Sequence, residues 1–195
     1  MGIGHVHAHF ATEPARAAEI AHRLIGISFS ISAHAKDIYT PPARLLRRTL
    51  ASARFIVTCT EYNRRHLMEV TGNKRFVMRM YHGIDLERFD PSGAPRSEAR
   101  ESPPLILSVG RLREKKGFPT LIEACSQLAR DGHDFRCEIV GYGPDREMLQ
   151  AIIDERGLGK RVVLVGTLAQ DAVIDRYRQA HLFVLPCQVA GDGDR

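Results

Sequence analysis

The run Ser108-Val109-Gly110-Arg111-Leu112-Arg113-Glu114-Lys115-Lys116-Gly117 joins an apolar strand to a glycine, a basic loop and the start of a helix. In an open parallel sheet, anionic ligands collect beyond the carboxyl ends of the strands, where loop amides and helix amino termini present N–H groups. The chemistry these residue types suit is phosphate binding. Gly110 lets the backbone come close, Arg111 offers a forked donor, and Lys116 adds a point charge near the next helix. A basic surface turn is the plainer reading of the same segment. Val140-Gly141-Tyr142-Gly143-Pro144 and Val165-Gly166-Thr167-Leu168 repeat the strand-then-glycine pattern. Either alone is an ordinary tight turn into a helix; three in succession on one sheet edge favour a shared ligand crevice.

Histidine supplies the other chemistry. His34 follows an apolar run, where an imidazole can donate or accept a hydrogen bond and both protonation forms are accessible near pH 7. Taken by itself it reads more readily as a packed loop histidine. Asp37, three residues on, either orients His34 or caps a turn. His5, His7 and His9 share one strand face because side chains alternate with period two. Metal-dependent hydrolases also place H-x-H on a strand, but they need further His and Asp ligands at later strand ends, and no such pattern recurs, so no metal is expected. The cysteines Cys59, Cys125, Cys137 and Cys187 lack C-x-x-C spacing and are read as buried thiols.

Short β-rich runs alternating with stretches of helical period must position these groups, which is the signature of βα units feeding parallel sheets. Strands are expected over 5–9, 27–33, 54–59 and 75–80, with helices that follow Thr12, a capping residue, and Pro14, follow Pro41 and Pro42, and start at a Thr60 cap. Residues 91–104 hold four prolines and no apolar periodicity, and read as a linker. The pattern then restarts, with strands over 105–109, 135–140, 161–165 and 182–185 and helices over 119–130, 144–156 and 171–179. Runs such as Leu-Ile-Leu-Ser-Val lack strict alternation, as strands covered on both faces do. The expected organisation is a partial first domain over 1–90, the linker over 91–104, and a partial second domain over 105–195.

The 195 residues, 44% hydrophobic and 26% charged, fit a folded protein. No apolar run approaches the roughly 18 residues of a membrane span, and the start has no signal-peptide core, so a cytoplasmic location is expected. The net charge of +5 is lopsided: residues 1–102 hold 15 basic and 10 acidic side chains, and residues 103–195 hold 13 of each. Arg44-Leu45-Leu46-Arg47-Arg48-Thr49-Leu50 is a basic amphipathic segment within that excess. It reads as a surface helix packed on its own sheet, or as a face for an anionic membrane surface.

The ordered set of these pieces resembles the retaining glycosyltransferases with two facing Rossmann-like domains, known as glycosyltransferase family four or group one. The matching segments are His7-Ala8-His9-Phe10, Ser32-Ala33-His34-Ala35-Lys36-Asp37-Ile38, Thr58-Cys59-Thr60-Glu61, and His82-Gly83-Ile84-Asp85 with Phe89 and Pro91. They continue with Val109-Gly110-Arg111, Lys116-Gly117, Ile122-Glu123-Ala124, Ile139-Val140-Gly141-Tyr142-Gly143-Pro144, Val165-Gly166 and Phe183-Val184-Leu185-Pro186. The resemblance implies an α/β protein of GT-B type, with two Rossmann-like βαβ domains facing across a cleft, both incomplete. It implies a nucleotide-diphosphate sugar as donor, a glycan or lipid-linked acceptor, retention at the anomeric carbon, no metal or other cofactor and no nucleic-acid partner. Arg111 and Lys116 resemble the pair that holds the diphosphate. Gly141, Gly143, Thr167 and Leu168 resemble the loops around ribose and base, and His34 resembles the histidine that reaches toward the donor sugar. The segments around His34 and Tyr81-His82-Gly83 look like bacterial exopolysaccharide enzymes, which points to cell-surface glycan synthesis.

Two family features are absent. Only four residues precede His5, where the family has a full first strand and a glycine-rich loop. After Pro186 the family continues into a helix with two donor-binding glutamates, of which Gly191-Asp192-Gly193-Asp194-Arg195 resembles only the approach. A chain truncated at both ends is expected, weakly active or inactive alone; the alternative function is a catalytically incompetent nucleotide-binding fragment. A nicotinamide-dependent dehydrogenase is disfavoured because no G-x-G-x-x-G opens a helix with an acidic residue some twenty positions on.

Overall fold

The computed structural model describes residues 2–90 and 103–191. Most of the expected linker and the terminal residues 192–195 lie outside the described residues. Two units form among the described residues, one over 2–84 and the other over 85–90 and 103–190.

The first unit is a parallel sheet of β1 (His5–His9), β2 (Ser28–Ser32), β3 (Ile56–Thr58) and β4 (Val77–Arg79), in that spatial order. Between them run α1 (Glu13–Ile25), the short α2 (Lys36–Tyr39), α3 (Ala43–Leu50) and α4 (Glu61–Thr71). Local chemistry sets the helix ends. α1 carries a proline in its first turn and stops at Gly26, whose φ of 72° is the left-handed cap a side chain would resist. Thr12, expected as a cap, makes no side-chain cap bond, whereas Thr60 accepts from the Asn63 N–H at 3.1 Å. The core joins Phe29, Ile31 and Ile56 of the sheet to Ala15 and Ala18 of α1, Leu46 and Leu50 of α3 and Leu67 of α4.

The second unit is a parallel sheet ordered β7-β6-β5-β8, with β5 (Leu105–Val109), β6 (Arg136–Val140), β7 (Val162–Gly166) and β8 (Leu182–Phe183). Its helices are α5 (Phe118–Arg130), α6 (Arg146–Glu155) and α7 (Gln170–Gln179), with a 3-10 turn over Glu114–Lys116. Both sheet faces are covered, which explains the missing alternation. Ile106, Cys137 and Ile139 pack with Phe118, Ile122 and Cys125 of α5 and Leu149 and Ile153 of α6. Leu105, Leu107 and Val140 turn the other way, toward Ala180 and Val173.

Every expected strand and helix is present. Strands β2, β3 and β4 are shorter than the apolar runs that announced them, and β8 stops at Phe183 instead of Leu185. Among the described residues no helix is long and apolar enough to cross a membrane.

Candidate functional site

In the second unit the parallel order brings the carboxyl ends of β5, β6 and β7 to one edge, and the loops leaving them are joined by backbone hydrogen bonds. The Gly110 N–H donates to Val140 O at 2.9 Å, Gly141 N–H to Gly166 O at 2.8 Å, and Leu112 N–H to Tyr142 O at 3.1 Å. Each glycine answers to a different constraint. A Cβ on Gly141, where φ is 147°, would stand 1.9 Å from Gly110 O, and one on Gly143 would stand 2.1 Å from Leu112 O. A Cβ on Gly110 would meet only ordinary contacts, the nearest being Phe118 Cζ at 3.5 Å. Gly141 and Gly143 are therefore glycines because the loops touch each other. Gly110 has no such need, and its bare backbone faces no protein atom that a methyl group would displace.

Arg111 follows directly, exposed, with no side-chain hydrogen bond or ion pair among the described residues. Lys116 is half-buried at the end of the 3-10 turn; its stem lies 3.7 Å from where a Gly110 Cβ would be, and its Nζ is 3.9 Å from Cys187 Sγ. The turn ends at Gly117, φ 66°, pressed against the Pro186 carbonyl. Thr167 is exposed just beyond β7, and the Leu168 side chain packs toward the Leu105–Leu107 face of the core. Gly110, Arg111, Lys116, Gly141, Gly143 and Thr167 thus share one edge, which carries the positive charge of Arg111 and Lys116. Such an edge suits a phosphate ester.

His34 belongs to the first unit, two residues beyond β2. Its backbone N–H donates to the buried Asp37 carboxylate, which also accepts from Ala11 N–H at 2.9 Å. Asp37 therefore caps a turn through main-chain groups, the second of the two roles left open. Burial pushes the His34 imidazole below its ordinary pKa; Asp37 pulls upward against it, and His82 and His9 add to the lowering. Its Nδ1 is buried without a hydrogen-bond partner among the described residues. The Phe10 ring stands edge-on to His34 at 6.1 Å, on a backbone with φ of 76° that a bulky residue adopts only under strain.

The H-x-H face proves to be a cross-strand polar ladder. His5 hydrogen-bonds with Ser28 and Ser30, both at 2.8 Å, and His7 with Ser30 at 2.6 Å and Ser32 at 2.8 Å, so both ring nitrogens of each are engaged. The cysteine expectation needs correction. Cys125 and Cys137 are buried, but Cys187 is exposed beside Lys116, and Cys59 is half-buried beside His34. Their positions, just past strand ends, were the available signal.

The family model described as Glycosyl transferases group 1 matches residues 93–193. A putative colanic acid biosynthesis glycosyltransferase, WcaL of Escherichia coli, is 38% identical over 112 residues, covering 57% of this chain and 27% of its own. A GDP-mannose-dependent alpha-(1-6)-phosphatidylinositol monomannoside mannosyltransferase of Mycobacterium tuberculosis is 28% identical over 181 residues, covering 88% of this chain and 47% of its own. Among solved structures, Anabaena Alr3699/HepE in complex with UDP superposes with a TM-score of 0.74 at 16% identity, covering 95% of this chain and 53% of that one. The chain thus spans about half or less of the length of these relatives.

Proposed function

This chain belongs to the glycosyl transferases group 1, and from that premise we propose that it takes part in moving a sugar from a nucleotide-diphosphate donor to a glycan or lipid-linked acceptor, with retention at the anomeric carbon. The observation that carries the reading is the hydrogen-bonded glycine edge of β5, β6 and β7, bearing Arg111 and Lys116. As the bond between the anomeric carbon and the diphosphate breaks, negative charge grows on the departing phosphate oxygens. Two cations placed at that edge stabilise that charge more than they stabilise the intact donor, which is what lowers a barrier. No metal is needed for the task in this scheme. Arg111 grips phosphate oxygens through its planar fork, Lys116 adds charge, and Gly110 leaves room for the diphosphate. Gly141, Gly143, Thr167 and Leu168 belong to the loops assigned to ribose and base. His34 is assigned to the donor sugar, where a mostly neutral imidazole hydrogen-bonds a hydroxyl. Cell-surface glycan synthesis is the process favoured, since the Escherichia coli relative is named for colanic acid biosynthesis.

A lipid-linked acceptor has support of its own. The Mycobacterium tuberculosis relative is named for a phosphatidylinositol acceptor. In the first unit, α1 and α3 jointly line a hollow with Arg16, Arg23 and Arg48 around Ile20 and Leu45. Ile20 and Leu45 are exposed, as is Leu24 on the same helix. Basic and apolar groups on one surface suit the headgroup layer of an anionic membrane.

A thermal-shift series with UDP, GDP, ADP and their sugars tests the donor site. One nucleotide is expected to stabilise the protein. Arg111→Ala and Lys116→Ala are each expected to weaken that binding by about 10–100-fold, the loss of about 1.5–3 kcal/mol for a charge-assisted hydrogen bond. Unchanged shifts in both variants remove the assignment. Nucleotide binding without sugar transfer to any glycan or lipid acceptor would favour a binding role over turnover.

A further inference from the structure

Beyond β2, β3 and β4, the three adjacent parallel strands of the first unit, the chain delivers His34, Cys59 and His82 to one place. Cys59 directly follows β3, and His34 and His82 come two and three residues after their strands. One ring nitrogen of each histidine and the Cys59 sulfur all lie within 4.8 Å of one another, and the imidazole centroids are 5.2 Å apart. The buried Asn63 braces two of the three: its Nδ2 donates to His34 O at 2.7 Å and stands 4.0 Å from Cys59 Sγ, and its own Oδ1 accepts from Tyr39 OH at 2.7 Å. His34 Nδ1 is buried and has no hydrogen-bond partner among the described residues, an unsatisfied polar atom of the kind that a bound ion explains.

We propose that His34, Cys59 and His82 bind a zinc ion. Two imidazoles and a thiolate suit a borderline-soft divalent cation, and they suit magnesium or calcium, which take oxygen donors, poorly. Bond lengths of about 2.0–2.1 Å to nitrogen and about 2.3 Å to sulfur would draw the donors to roughly 3.3–3.6 Å from one another. That requires a movement of about 1 Å, which the exposed His82, in the coil after β4, can make. Three protein ligands leave the fourth tetrahedral position to water. On binding, the Cys59 thiol gives its proton to solvent, and the histidines bind through neutral nitrogens. Of the histidines clustered on β1, His5 and His7 have both nitrogens committed to serines. The site does not rest on the transferase reading. Occupied, it would withdraw His34 from the role assigned above, so zinc would also act as an inhibitor.

Cobalt(II) titrated into the metal-free chain is the probe, since a thiolate ligand gives a charge-transfer absorption that nitrogen and oxygen ligands do not. One equivalent is expected to bind with that absorption and the visible bands of four-coordinate cobalt, and zinc is expected to displace it. Cys59→Ser is expected to abolish the thiolate band, and His82→Ala to weaken binding by at least the 10–100-fold that even outer partners of a metal site contribute. Cys187→Ser and His7→Gln are expected to bind as the parent does. A thiolate band that persists in Cys59→Ser, or unchanged affinity in His82→Ala, overturns the site. Should Cys59→Ser lose its fold by circular dichroism, the exposed His82 carries the test alone. Nucleotide affinity, measured separately at Arg111, is unaffected by either result.

Discussion

Gly110 and Gly141 end neighbouring strands in the same sequence pattern, yet the structure needs them for unlike reasons. Gly141 combines a φ of 147° with a carbonyl 1.9 Å from its absent Cβ, so Gly141→Ala is expected to cost about 2–4 kcal/mol through strain and displacement of the β5 loop. Gly110→Ala meets only contacts of 3.5 Å or more and is expected to leave stability within about 0.5 kcal/mol while weakening nucleotide binding. Chemical denaturation with nucleotide titration on both variants checks the pair; equal loss of stability in both would contradict the distinction. Sequence alone could not separate the two glycines, because a tight turn and a close ligand approach demand the same residue. The grouping of Cys59 and His82 with His34 was illegible for a related reason. They come from three strands at least 23 positions apart in the chain, and only the parallel pairing of β2, β3 and β4 brings them together.

At the scale of elements, the alternation of β-rich runs and helical periods located all eight strands and the longer helices: β5 and β7 announce themselves as continuous apolar runs, whereas β1 (His-Val-His-Ala-His) and β2 (Ser-Phe-Ser-Ile-Ser) alternate polar and apolar side chains. The short pieces escaped. α2 and the 3-10 turn over Glu114–Lys116 are too brief to carry a period, and the Asp37 carboxylate and the left-handed backbone of Gly117 decide them. Capping residues gave a mixed yield for a physical reason. Thr60 sits in extended backbone, φ −133° and ψ 155°, from which its oxygen reaches the Asn63 N–H, whereas Thr12, φ −107° and ψ −132°, makes no such bond. Thr60→Ala is therefore expected to destabilise the first unit by about 1 kcal/mol and Thr12→Ala by no more than a few tenths, read as shifts in the denaturation midpoint. Equal effects would show that cap geometry is not what separates them. Because Thr60 neighbours Cys59 and orders the helix that carries Asn63, the same variant also loosens the frame around His34.

For the molecule as a whole, the charge asymmetry read from sequence acquires a location. Arg16, Arg23 and Arg48 ring Ile20 and Leu45 on the outer surface of α1 and α3, and Arg23 is partly neutralised by Glu19 at 2.6 Å. The protein is expected to sediment with phosphatidylglycerol vesicles and not with phosphatidylcholine vesicles. Raising the ionic strength from about 0.1 M to about 1 M, which shortens the screening length from about 10 to about 3 Å, is expected to release it. At about 1 kcal/mol per basic side chain, Arg16→Ala with Arg48→Ala should weaken binding roughly thirtyfold. Salt-independent sedimentation, or none, would leave the patch an ordinary solvated face. The donor site is the claim on which the functional account depends. Its most direct test follows the amide resonances of isotope-labelled protein while a nucleoside diphosphate is added. The amides of Gly110, Arg111, Lys116, Gly141 and Thr167 should shift along one common binding curve while those of His5, His7 and His9 stay fixed. A nucleotide that binds and moves other amides, leaving the ends of β5, β6 and β7 unperturbed, would contradict the account.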